Sequence, residues 1–140
     1  VTAESAPAPA ARPARPTPLL AGVALTVAEG SALVVWGGYI IVAALVESTR
    51  NQGLAEYGGV VILLLGLLPL VAARGLLKLR RWGRTPAVLI HTLALPVAWF
   101  MWGAGDVMAG LGALVGVAGL AGLVLLLNPK VTAALYQPES

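Results

Sequence analysis

Four long apolar segments, about 19–46, 58–77, 86–103 and 107–127, divide this chain and leave only short polar stretches between them. A hydrocarbon core about 30 Å thick takes roughly 20 helical residues per crossing, so four crossings use up most of the sequence. Uninterrupted apolar runs of this length lack the alternation of a membrane barrel strand. The chain is therefore expected to be all-α, a single four-helix transmembrane bundle over residues 18–128. With 59% hydrophobic and 11% charged residues, lipid rather than a polar surface must cover it.

The punctuation between segments predicts the connections. Glu47 to Glu56 is polar and contains Asn51 and Gly53, which reads as a loop, while Gly103 to Asp106 is a tight link that makes the last two helices an antiparallel hairpin. Asn128-Pro129 stops the fourth helix, leaving 129–140 as a short C-terminal tail. Residues 1–17 are almost all Ala, Pro, Ser, Thr and Arg and read as a disordered tail. Arg12 and Arg15 followed by apolar residues resemble the start of a signal peptide, with Ala28 at the cleavage point. The apolar stretch, however, outruns the roughly 7 to 15 residues of a signal core.

Lysine and arginine are distributed unevenly. Arg12 and Arg15 precede the first segment, Arg74, Lys78, Arg80, Arg81 and Arg84 lie between the second and third, and Lys130 follows the fourth, against Arg50 alone on the other side. Basic loops stay inside, so both termini are expected to be cytoplasmic in a cell-membrane protein. Tyr57, Trp99 and Trp102 then fall at the outer interface and Trp82 at the inner one. The net charge of +3 reads as contact with anionic lipid headgroups through Arg74, Lys78, Arg80, Arg81 and Arg84, and not as a nucleic-acid footprint.

The absence of Cys removes disulfides, thiol nucleophiles and Cys-ligated metals, and a single His argues against a His-based metal site. No metal, cofactor or catalytic residue is expected. Two ionisable residues lie inside the apolar segments: Glu29, and His91, which sits about 10 Å along its helix from Arg84. Their depths match. A carboxylate facing acyl chains is costly, so Glu29 must face the bundle, with His91, Thr92 and Ser31 as the partners at that level. The pair reads either as a polar clamp between helices or as a site that exchanges a proton for a cationic substrate.

Gly105, Ala109, Gly112, Gly116 and Gly119 recur at heptad spacing in the fourth segment, a stripe of small residues that lets two helix backbones approach closely. The stripe is expected to face another helix of the same chain, with a second copy as the alternative. Pro69 and Pro96 are expected to bend the second and third helices.

The string Arg80-Arg81-Trp82-Gly83-Arg84-Thr85-Pro86-Ala87-Val88, with Glu29 in the first span, Leu95-Pro96-Val97-Ala98-Trp99 in the third, and Asn128-Pro129 before Ala133-Ala134-Leu135, resembles a group of small, uncharacterised four-pass membrane proteins of actinobacteria. The resemblance implies a fold and a membrane location but no reaction. It departs at His91, where the group carries Gln, a side chain that hydrogen-bonds a glutamate but does not relay protons as imidazole does. The chain also resembles small multidrug-resistance transporters in length, four spans and one glutamate in the first, without their third-span aromatic and glycine pattern. Together these features predict a non-enzymatic accessory or scaffold protein with a membrane protein partner or a second copy of itself. The alternative is a small proton-coupled transporter of cationic compounds using Glu29.

Overall fold

The computed structural model describes residues 14–47 and 51–137. Five helices follow in order: α1 (Thr17–Val46), α2 (Gln52–Leu77), α3 (Arg84–Gly103), α4 (Asp106–Leu126) and α5 (Pro129–Leu135), with a 3₁₀ turn at Arg81–Gly83 before α3. There is no strand among the described residues. Helices α1 to α4 are each long and apolar enough to cross a membrane.

Two boundaries differ from expectation. Helix α2 begins at Gln52, well before residue 58, because Asn51 O accepts from Leu54 N and Ala55 N, and Gln52 Nε2 donates to Glu56 Oε1 at 3.0 Å. Polar residues at matching i, i+4 positions thus extend the helix beyond its apolar part. The C-terminal stretch is not merely a tail. Asn128 Oδ1 caps α5 by accepting from Lys130 N at 2.9 Å, Pro129 occupies its first position, and Val131 and Leu135, one turn apart, are buried. The expected N-terminal tail lies outside the described residues up to position 13.

The helices pair as two antiparallel hairpins, α1 with α2 and α3 with α4. In the first, a Cβ added to Gly37 would lie 2.6 Å from Leu63 N, and one at Gly30 would lie 2.9 Å from Gly66 O. Gly30 and Gly37 on α1 therefore press against Gly66 and Gly59 on α2, one heptad apart on each helix. This seam was missed in the sequence, where the glycines are diluted among Leu and Val. Pro69 is buried beside Gly30, whereas Pro96 is exposed.

The hairpins join chiefly at the end that carries the α2–α3 loop. Leu19 and Val23 of α1, Ala72, Ala73 and Leu76 of α2, Ala87 of α3, Leu126 of α4 and Val131 and Leu135 of α5 form one apolar cluster there. Gly22 admits α1 to α4, since a Cβ at that position would come within 2.9 Å of Leu126 Cδ2. The start of α1, the α2–α3 loop and α5 therefore share one end of the bundle, called the basic end below. Burying these side chains in one another offers close packing that lipid tails, equally apolar, do not replace.

Candidate functional site

One polar site spans the two hairpins. Thr26 and Glu29, three residues apart on α1, point toward His91 on α3, and both Thr26 and His91 are fully buried. Thr26 Oγ1 donates to Gly22 O at 2.8 Å, and His91 Nε2 lies 3.1 Å from the same hydroxyl. On the other side of the ring, Nδ1 lies 3.1 Å from Glu29 Oε2.

The hydrogen count follows from this chain of contacts. The Thr26 proton is committed to the Gly22 carbonyl, so Thr26 oxygen accepts and Nε2 must carry the hydrogen that it donates. Nδ1 has no hydrogen bond among the described residues despite its short distance from Glu29 Oε2. Glu29 retains 21% of its side-chain exposure while His91 retains none.

The ring is held from behind by α4. Gly122 lies against the His91 imidazole so closely that any Cβ would collide with its Cε1 and Nδ1 atoms, and Gly119 faces His91 O. Gly122 continues the small-residue stripe by one turn beyond the expected Gly119. Of the stripe itself, a Cβ added at Gly112 would lie 2.8 to 2.9 Å from Ala98 O, Met101 Cβ and Trp102 N, and one at Gly116 would lie 3.2 Å from Ala98 Cβ. Ala109 is half-buried, and Gly105 is not a contact at all. Its φ of 76° places it in the left-handed region, where it turns the chain into α4 next to Asp106 at φ 47°. The stripe thus packs α4 on α3 within one chain.

The structure brings together Glu29 and His91 but replaces the other expected partners. Ser31 is exposed, and exposed Thr92 donates back to Val88 O at 2.8 Å. Thr26 takes their place. Its spacing of three from Glu29 was the signal that could have found it, since i and i+3 share a helix face.

The five cations of the α2–α3 region divide into two groups. Arg81 Nε donates to Leu135 O at 3.2 Å, Arg84 donates to Thr132 Oγ1 at 2.9 Å, and both guanidinium groups lie over the Tyr136 ring, at 5.3 and 5.6 Å from its centroid. These two, expected to contact lipid, also hold α5 against the bundle. Arg74, Lys78 and Arg80 remain exposed. Among the described residues, no group of three or more His, Asp or Glu side chains gathers to hold a metal ion.

No protein-family model, no curated protein and no solved structure matches this chain. Its chemistry must therefore be read from the site itself.

Proposed function

We propose that this multi-pass membrane protein is non-enzymatic and serves as an accessory or scaffold subunit in the cell membrane, inserted with both termini in the cytoplasm. The observation that carries this reading is the buried His91, whose two ring nitrogens face Thr26 and Glu29 while its ring rests on Gly122. The polar groups in the apolar interior are engaged in joining α1, α3 and α4. A site that serves transport must instead open to each side in turn, which needs two packings of similar energy. The uneven distribution of Lys and Arg supports the orientation, and the loop string from Arg80 to Val88 supports kinship with the actinobacterial four-pass group.

Affinity purification of the full chain from native membranes tests the proposal. A stoichiometric membrane protein partner or a second copy of the chain is expected. Recovery of the monomer alone, under detergents that preserve known assemblies, would overturn the accessory reading.

One observation favours a second reading. The closeness of Glu29 to His91, together with the partial exposure of Glu29, suits a carboxyl that could release a proton in exchange for a cationic compound.

A further inference from the structure

Arg74, Lys78 and Arg80 surround an open cavity of about 280 Å³ at the basic end, whose remaining walls are Val71, Gly75 and Trp82. Its shape depends on two local features. The Trp82 indole lies across Gly75, where an added Cβ would meet ring atoms at 2.9 Å, and Gly83 seats the turn on α2, where a Cβ would lie 2.8 Å from Ala72 O. Leu79 adopts φ 55°, and the chain closes behind it with Arg80 N donating to Gly75 O at 2.9 Å and Leu79 N to Leu76 O at 2.9 Å. This is a Schellman-type helix end with leucine at the position that glycine usually takes. The leucine packs against the apolar cluster of the basic end, and the turn carries Arg80 back beside Arg74 and Lys78.

Three cations meet here without a described carboxylate beside them. Among the described residues Glu47, Glu56 and Asp106 lie at the opposite ends of their helices, and Glu29 is engaged with His91. Immediately beyond the cations the same face of α2 turns apolar. Leu64, Leu67, Val71, Arg74 and Lys78 are all exposed and succeed one another at three- and four-residue steps, a single stripe with cations at one end and hydrocarbon along the rest.

We propose that this cavity is a binding site for one anionic phospholipid, with its phosphate among Arg74, Lys78 and Arg80, the Trp82 ring as a wall at headgroup level, and an acyl chain along Val71, Leu67 and Leu64. The phosphate supplies the missing negative charge, and the apolar stripe distinguishes a lipid from free phosphate. The site goes beyond the accessory reading and stands without it.

Native mass spectrometry of the full chain in detergent, with dioleoyl phosphatidic acid and dioleoyl phosphatidylcholine as probes, tests the proposal. One phosphatidic acid molecule should be retained in preference to phosphatidylcholine. Arg74→Gln, Lys78→Gln and Arg80→Gln should each weaken that retention about fivefold, as expected for one cation near an anionic headgroup. Lys130→Gln removes the same charge from the same end of the bundle but lies off the cavity, and it should leave retention unchanged. Equal losses in Lys78→Gln and Lys130→Gln would reduce the site to diffuse attraction. Displacement of the lipid by excess inorganic phosphate would assign the site to a free anion and overturn the lipid. Unchanged thermal melting of each variant confirms that the fold is intact, and for any variant that melts early, Lys78→Glu and Val71→Gln provide independent readings at exposed positions, each expected to weaken retention.

Discussion

The imidazole of His91 rests on the backbone of Gly122, so the absence of a side chain at one position of α4 determines where the only histidine of the chain can sit. Gly122→Ala should therefore displace the ring from Thr26 and Glu29 and lower stability by about 1–3 kcal/mol, the usual cost of overpacking a close contact. Gly110→Ala on the same helix, where nothing lies near an added Cβ, should be neutral or gain about 0.5–1 kcal/mol from helix propensity. Thermal melting in detergent compares the two, and equal melting would show that the ring is free to move.

The neighbours of the two ring nitrogens make a second contrast. Glu29→Leu leaves His91 Nδ1 facing a side chain without polar atoms and should cost about 1–3 kcal/mol, whereas Glu29→Gln keeps a donor and an acceptor and should be much milder. Thr26→Val should resemble Glu29→Leu because Nε2 loses its acceptor, and Thr26→Ser should behave as wild type. Comparable melting temperatures for Glu29→Gln and Glu29→Leu would mean that the contact with Nδ1 contributes nothing to stability.

Adjacent glycines in α1 offer a third test. A Cβ at Gly37 would strike the backbone of α2, while one at Gly38 would meet nothing within 4 Å. Gly37→Ala should open the first hairpin and lower the melting point, and Gly38→Ala should be tolerated. If both were tolerated, the small-residue seam between α1 and α2 would not be a close contact.

How legible these contacts were in the sequence depended on how much of the periodicity glycine carried. Four helices could be read because each apolar stretch is long, and the α4 stripe because its small residues follow one another at heptad steps. The seam of Gly30 and Gly37 on Gly66 and Gly59 escaped because only these glycines of each helix form it, one heptad apart, and the others, such as Gly38 and Gly58, blur the spacing. Glu29 and His91 could be paired from depth alone. Thr26 was overlooked because a hydroxyl inside an apolar helix usually bonds to its own backbone, as Thr26 also does, and that bond gives no hint of a second partner. The partnership of Arg81 and Arg84 with α5 was hidden for a different reason: 129–140 offered too short an apolar pattern to suggest a helix, and without the helix those arginines had only lipid to meet.

Orientation can be measured directly because the chain has no cysteine. A single cysteine at Asn51 should react with an impermeant thiol reagent in intact cells, and one at Thr85 should react only after lysis. Both positions are exposed, so accessibility within the protein does not bias the comparison. Labelling of the Thr85 variant from outside would invert the assigned topology.

Proton coupling provides the remaining test. In reconstituted vesicles with lipophilic cations supplied, no Glu29-dependent proton flux is expected, because Glu29 lies against His91, which Thr26 and Gly122 hold in one packed arrangement. A robust flux in wild type that disappears in Glu29→Gln would transfer the protein to the transport class.

The separation of the bundle into two hairpins sets an order of events during synthesis. Helices α1 and α2 leave the ribosome before α3 and can close their glycine seam before α3 exists. Glu29 then waits in the bilayer with an unanswered carboxyl until His91 arrives. A chain interrupted after α2 would thus present well-packed helices together with one visible polar defect. The third helix brings His91 within 3.1 Å of it, so the carboxylate inside the bundle meets its neighbour only once the second hairpin is in place.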